Sequence, residues 1–160
     1  MHKRNIIHRD IKPQNILMTD KDVLMVCIAD LGLAIKNYDI KCRTEQCGTP
    51  GYVDPEVLNG QAFTTKSDIF SLGSLLYNIV TCRFLFGGTS ARAILHKNKH
   101  QDPNPIIDKY CKTISADCRD LMKRMLAFQQ SKRPSAEECL RQPWFSSVSP
   151  IIESMLALNK

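Results

Sequence analysis

The sequence predicts an α+β fold, mainly helical with one short β-hairpin, and three observations carry that expectation. Two short apolar runs containing β-branched residues, NILMT at 15–19 and VLMVCIAD at 23–30, lie close together near the N-terminus. A long polar stretch, Asp30 to Glu56, follows, with Gly48, Pro50, Gly51 and Pro55 near its end. The strong apolar patterns beyond it have helical spacing.

Taken in order, the two apolar runs are separated by Thr19-Asp20-Lys21-Asp22, a polar break that reads as the turn of a hairpin. The stretch from Asp30 to Glu56 reads as irregular, and a connection that long is usually functional or disordered. TTKSDIFSLGSLLYNIVTC, 64–82, opens with Thr65 three residues before Asp68, a capping-box spacing. It carries Ile69, Leu72, Leu75, Leu76, Ile79 and Val80 over much of its circumference, which predicts a buried central helix. SARAILHKNKH, 90–100, is a shorter polar helix. SADCRDLMKRMLAF, 115–128, has Ser115 as N-cap, Asp117 in the first turn and an apolar stripe of Leu121, Met122, Met125 and Leu126. RPSAEECLRQPWF, 133–145, has Ser135 and Glu138 as a capping box and Pro143 as its stop.

Composition narrows the function classes. The chain has 160 residues, 43% apolar and 24% charged, enough for one globular domain with a real core. It has no apolar run of membrane-spanning length, and MHKRNIIHRD has no apolar region of a signal peptide, so no membrane association is expected. Seven cysteines, an odd number with no CxxC pair, read as free thiols in a reducing compartment, hence a cytoplasmic setting with the nucleus left open. The net charge is +6, with basic clusters at 36–43, 92–100 and 119–133. No aromatic interleaving or reader motif accompanies them, so they read as solvated helix faces and not as a nucleic-acid surface. His96 and His100 stand four apart without a third ligand nearby, so no metal site is expected there.

The chemistry concentrates in HRDIKPQN, 8–15. An aspartate orients or accepts a hydroxyl proton, a lysine neutralises a phosphate oxygen, and an asparagine offers a neutral oxygen to a hard cation such as Mg²⁺. Asp30 in DLG adds a second hard ligand, and the hairpin should bring Asn15 and Asp30 to the same end of two paired strands. Base, phosphate clamp and metal ligands together make a phosphoryl-transfer site.

HRDIKPQN resembles the catalytic loop of the eukaryotic protein kinases. Further matches follow in family order. DLG at 30–32 resembles the family's metal-binding DFG, and GTPGYVDPE at 48–56 resembles the end of an activation segment. SDIFSLG at 67–73 looks like the family's central helix, and Arg133 like the arginine that pairs with the glutamate of the activation-segment end, here Glu56. The resemblance covers Met1 to Phe145. It implies a kinase-like C-terminal lobe over 1–145 followed by a tail over 146–160, in which a frayed end is expected rather than a regulatory helix.

The resemblance also implies roles. Asp10 would accept or orient the substrate hydroxyl, Lys12 would contact the transferred phosphate, and Asn15 and Asp30 would hold Mg²⁺. Leu17 would form the floor under the adenine of ATP, and His8 and Leu31 would stack in an apolar spine. Asp68 would hold the catalytic-loop backbone from below, and the Glu56–Arg133 pair would support the surface that receives substrate. Lys12 with Thr49 matches the serine/threonine type, so the partners implied are proteins phosphorylated on Ser or Thr. CGTPGY is similar to the calmodulin-dependent kinase group. Arg9 resembles the arginine that pairs with a phosphate on the activation segment. Thr44 is the candidate modified residue, and Glu45 stands near the place where many relatives carry the phosphate. Cys47 reads as a plain free thiol rather than a redox switch.

Three departures from the family pattern stand out. Leu31 replaces Phe and stays apolar. Asp54 stands where Ala is usual, and a carboxylate there needs solvent or a partner. Before the catalytic loop there is no glycine-rich loop and no strand lysine, so the N-terminal lobe is expected in a longer chain, with Met1 an internal residue. The helix expected upstream would bury about four large apolar side chains at roughly 1.5–3 kcal/mol each, a sum comparable to a domain's net stability of about 5–15 kcal/mol. Two functions remain open at this level: a serine/threonine kinase active within a longer chain, or a non-catalytic kinase-like module that binds partners. The intact Asp10, Lys12, Asn15 and Asp30 favour the first, because a binding module has no chemical need for all four.

Overall fold

The computed structural model describes residues 1–18 and 26–148. Short apolar stretches form the strands β1 (Ile6–Ile7), β2 (Ile16–Met18), β3 (Val26–Ile28) and β4 (Ile35–Lys36). They make two separate antiparallel ladders among the described residues. The hairpin pairs β2 with β3 in the register Ile16↔Ile28, Leu17↔Cys27, Met18↔Val26. Its expected turn, Thr19 to Asp22, lies outside the described residues.

The stretch expected to be irregular carries more structure than its polarity suggested. β4 pairs with β1, Ile7 opposite Ile35, and Ile7 is fully buried beside Val53, Val57 and Phe63. Asp39 caps the single turn α1 (Ile40–Arg43) by accepting from the Cys42 N–H at 3.2 Å. Asp54 caps α2 (Pro55–Leu58), where Pro55 occupies a first-turn position that needs no N–H donor.

The long helix α3 (Thr65–Thr81) runs through the centre of the fold. Its N-cap is Thr64, one residue earlier than expected, and its capping box is Thr64 with Ser67. The Ser67 hydroxyl takes the Thr64 N–H at 3.0 Å, which releases Asp68 for another partner. Ile69, Phe70, Leu75 and Tyr77 are buried. Gly73 is the point of closest approach to α6 (Ala116–Met125): a Cβ there would lie 3.0 Å from both Met125 Cβ and Leu126 Cγ.

The expected burial of α3 is incomplete. Leu72 is 39% and Ile79 66% exposed, because no described element covers that side. They line an apolar groove of about 270 Å³ with Leu121, Leu140 and Trp144. A neighbouring cleft of about 380 Å³ runs past Leu72 to Met1, Ile16 and Ile28.

The remaining helices are α4 (Ala91–His100), α5 (Asn104–Tyr110) and α7 (Ala136–Leu140). Ser90 caps α4, Ser115 caps α6, and Ser135 with Glu138 forms the capping box of α7. Pro143 does not end α7, which stops at Leu140, but opens a 3₁₀ turn, Pro143–Val148. The main core gathers Phe70, Tyr77, Phe86, Ile107, Met122 and Leu126 from α3, α5, α6 and the segment before α4. Residues 149–160, most of the expected tail, lie outside the described residues.

Candidate active site

The loop after β1 is held from below by one carboxylate. Asp68, on the first turn of α3, accepts from the His8 N–H at Oδ2 and from the Arg9 N–H at Oδ1, both at 2.9 Å. His2 Nε2 lies 2.8 Å from the same Oδ2. These bonds hold Arg9 at φ 70°, a left-handed conformation that a non-glycine residue keeps only when its surroundings enforce it. His8 is fully buried. Its Nε2 faces the Ala29 carbonyl at 3.0 Å and its Nδ1 faces the Asp10 N–H at 3.2 Å. A carbonyl only accepts and an N–H only donates, so these partners assign the neutral Nε2–H tautomer.

Asp10 is the hub of the site. Lys12 Nζ lies 2.7 Å from its Oδ2, and the Thr49 hydroxyl donates to its Oδ1 at 2.7 Å. Lys12 Nζ also donates to Thr49 Oγ1 at 3.0 Å, which closes a triangle in which Thr49 lies 39 positions from Asp10 and 37 from Lys12. Asn15 Nδ2 donates to the Asp10 carbonyl at 2.9 Å and reaches Asp10 Oδ2 at 3.3 Å. Burial pushes the Asp10 carboxyl up, but the hydrogen bonds from Lys12, Thr49 and Asn15 and the Lys12 charge outweigh it, leaving its pKa below the ordinary aspartate value.

The hairpin puts Asn15 and Asp30 at one end of its two strands, where the Ala29 N–H donates to the Asn15 carbonyl at 2.8 Å. Asp30 is exposed, at φ 59°, with Oδ1 accepting from the Gly32 N–H at 3.2 Å. Leu17 and Leu31 present apolar surface to solvent, 50% and 60% exposed. Leu31 therefore stands open on the site's outer side, whereas His8 is sealed beneath it.

The Arg9 side chain reaches the segments on both sides of β4. Its Nε donates to the Leu33 carbonyl and its Nη1 to the Cys42 carbonyl, both at 2.6 Å. Glu45 Oε2 lies 3.6 Å from that Nη1, with the Glu45 side chain 63% exposed. Thr44 is exposed at the end of α1, its hydroxyl donating to the Lys41 carbonyl at 2.9 Å. Cys47 packs against the Ile7 cluster, and burial pushes its thiol pKa up, which disfavours the reactive thiolate.

The Arg133 partnership differs from the one expected. Asp54, not Glu56, is its main partner: Arg133 Nη1 lies 2.7 Å from Asp54 Oδ2 and Nη2 donates to Oδ1 at 2.9 Å, with both side chains fully buried. Glu56 Oε2 is 3.9 Å from Arg133 and accepts instead from the Gln130 N–H at 2.5 Å. The carboxylate at 54 sits closer to the guanidinium and presents both oxygens to it, the geometry that suits the arginine fork. Gln130 was not singled out in the sequence. It donates from Nε2 to Asp54 Oδ2 at 2.8 Å and accepts from the Thr64 hydroxyl at 2.7 Å.

Three further polar residues also escaped the sequence reading. The Ser74 hydroxyl donates to the Gly51 carbonyl and the Ser71 hydroxyl to the Tyr52 carbonyl, both at 2.8 Å. Asn98 of α4 accepts from the Gly51 N–H at 3.0 Å and donates to the Val53 carbonyl at 2.7 Å. The backbone at 51–53 is thus bolted to α3 and α4. The available signal was two serines on the apolar part of a helix, where only a hydrogen-bonded polar group is tolerated.

The protein kinase domain family matches residues 1–145. The serine/threonine-protein kinase nekl-2 of Caenorhabditis elegans is 33% identical over 143 residues, covering 89% of this chain and 39% of that protein. The serine/threonine-protein kinase PEPKR2 of Arabidopsis thaliana is 38% identical over 145 residues, covering 89% and 30%. Calcium-dependent protein kinase 3 of Plasmodium berghei (strain Anka) is 41% identical over 149 residues, covering 91% and 26%. The chain thus spans well under half the length of these relatives, and by the match across nine-tenths of its own length it belongs to the protein kinase domain family.

Proposed function

We infer that the chain is the C-terminal lobe of a serine/threonine protein kinase, transferring the γ-phosphate of ATP to Ser or Thr of protein substrates. The observation that carries this is the Asp10 carboxylate, held ionised and oriented by Lys12, Thr49 and Asn15. Asp10 orients the attacking hydroxyl and takes its proton. Lys12 neutralises charge on the phosphoryl oxygens, and Thr49 keeps Asp10 and Lys12 in register. Arg133 with Asp54 and Glu56 supports the 51–56 backbone on which a substrate segment would rest.

Asn15 and Asp30 suit Mg²⁺ as hard oxygen donors at one end of the hairpin. Among the described residues no group of three or more His, Cys, Asp or Glu gathers around a metal position. That fits an ion held by one or two protein oxygens, with water and phosphate oxygens completing its shell. The ion, when bound, neutralises the phosphates. Leu17 offers an exposed apolar surface for adenine. Seven free thiols support a cytoplasmic, reducing setting.

The test is Asp30→Asn in the full-length protein, which should abolish phosphoryl transfer while leaving the unfolding midpoint within a degree or two. Turnover at the normal rate would remove Asp30 from the metal site. Residues 1–160 alone, which contain no glycine-rich loop to cover the phosphates, should show no ATP-dependent phosphorylation of a generic serine/threonine peptide above an Asp10→Asn control.

Regulation follows from Arg9. Glu45 places a carboxylate near its guanidinium and partly substitutes for a phosphate on Thr44. The unphosphorylated protein is therefore expected to have partial activity. A 3.6 Å pair whose carboxylate stands in water is worth at most about 1 kcal/mol, so Glu45→Gln should lower dephosphorylated activity by roughly two- to fivefold. Equal activities of the two dephosphorylated proteins would take Glu45 out of the mechanism.

A further inference from the structure

An open cleft of about 320 Å³, lined by none of Asp10, Lys12, Asn15 and Asp30, collects cationic side chains from three elements. Lys66 comes from the first turn of α3, Arg124 from the last turn of α6, and Lys132 with Arg133 from the turn before α7. Arg133 is already neutralised by Asp54, and Glu138 is the lone carboxylate in the lining. Glu138 faces Lys66, and Asp120, just outside the lining, pairs with Arg124, which leaves Lys132 as the lining cation without an acidic partner among the described residues.

Much of the donor capacity is unspent. Lys66 Nζ gives one hydrogen to the Arg133 carbonyl at 2.6 Å and stands 3.7 Å from Glu138 Oε2, which is itself occupied by the Ser135 N–H at 2.6 Å. Arg124 uses Nε on Asp120 at 2.8 Å, which leaves the outer edge of its fork open. Lys132 and Ser131 are exposed in the same lining. The carbonyl bond holds Lys66 in place, so part of the ordering cost of a binding site is already met in the fold.

We propose that this cleft binds a phosphate monoester on a phosphorylated serine or threonine of a partner polypeptide. A phosphoserine or phosphothreonine carries about −1.5 to −2 charges and three strong acceptor oxygens, which suit the cleft's convergent ammonium, guanidinium and hydroxyl donors. A single carboxylate offers two acceptor oxygens to these donors where the phosphate offers three. A nucleic acid would want an aromatic platform for its bases, and no aromatic residue lines the cleft.

The experiment measures binding, not turnover, so its result is independent of the catalytic reading. The full-length protein is titrated by fluorescence anisotropy with a labelled degenerate peptide library fixed at phosphothreonine, with the same library carrying threonine, and with a single-stranded oligonucleotide. Inorganic phosphate serves as competitor. The phosphorylated library is expected to bind at least tenfold tighter than the threonine library, with affinity falling as salt rises. Inorganic phosphate should displace it only in large excess. The double variant Arg124→Gln/Lys132→Gln changes two exposed side chains and should weaken that binding at least tenfold, with circular dichroism unchanged. Phosphopeptide affinity that survives the double substitution, or that is matched by the threonine library or exceeded by the oligonucleotide, would overturn the assignment.

Discussion

Replacing Asp10 by Asn in the full-length protein is expected to lower the phosphoryl-transfer rate by about 10²–10⁴-fold, the usual worth of a positioned general base. Asparagine keeps one acceptor oxygen, for Thr49 or Lys12 but not both, while Asp68 still holds the backbone at 8 and 9, so the loop should keep its shape and the unfolding midpoint should hardly move. Nucleotide affinity should also be nearly unchanged, because Asp10 serves the hydroxyl being phosphorylated and not the nucleotide. The pH profile is a second readout. The working form of Asp10 is the carboxylate, and its pKa lies below the ordinary value. Activity carried by Asp10 is therefore retained down through the ordinary carboxylate range and lost only as pH falls through the lowered pKa. An acid limb near neutrality, or turnover by Asp10→Asn within threefold of the parent, would assign the base elsewhere.

The largest effect on stability is expected at Arg133. Arg133→Met strands the buried Asp54 carboxylate, and breaking a buried pair from one side costs about 3–5 kcal/mol. Against a net stability of about 5–15 kcal/mol, that should bring a large drop in the denaturant midpoint. Asp54→Asn should cost less, because Arg133 keeps the carbonyls of Ala127, Phe128 and Lys66 as acceptors and lies over the Phe70 ring at 4.9 Å. Glu56→Gln should cost least, since Glu56 stands 3.9 Å away and partly in water. Denaturant titrations of the three variants rank the partners directly. A greater loss in Glu56→Gln than in Asp54→Asn would reverse the assignment of Asp54 as the main partner.

That reversal of partners marks where sequence reading stops. The sequence flags a carboxylate at 54 that needs a partner, but its neighbour in space lies 79 positions along the chain, and no periodicity links them. The hairpin was legible because apolar runs containing β-branched residues flank a polar break, and the two strands do pair. The β1–β4 ladder was not, because two-residue strands carry too little pattern to separate from loop. At the start of α3 two adjacent threonines are chemically equivalent. Thr64 is the cap because its backbone is extended, at φ −134° and ψ 172°, a choice made by tertiary packing. In the candidate site, Asp10, Lys12 and Asn15 lie within one short stretch and read as a unit. Ser71, Ser74 and Asn98 serve backbone, and Gln130 the Asp54 and Thr64 side chains, far away in sequence, so their identity becomes informative only once the chain is folded.

The single carboxylate beneath the loop also governs how the loop opens. The amide hydrogens of His8 and Arg9 are both donated to Asp68, a residue of α3. Exchange of those two hydrogens with solvent deuterium requires Asp68 to let go, and Asp68 is buried in the first turn of the central helix. The two loop amides should therefore exchange at the slow pace of α3 rather than at the fast pace of a surface loop, making loop and helix one cooperative unit. Asp68→Ala would divide that unit, speeding exchange at 8 and 9 while the amides in the middle of α3 keep their protection.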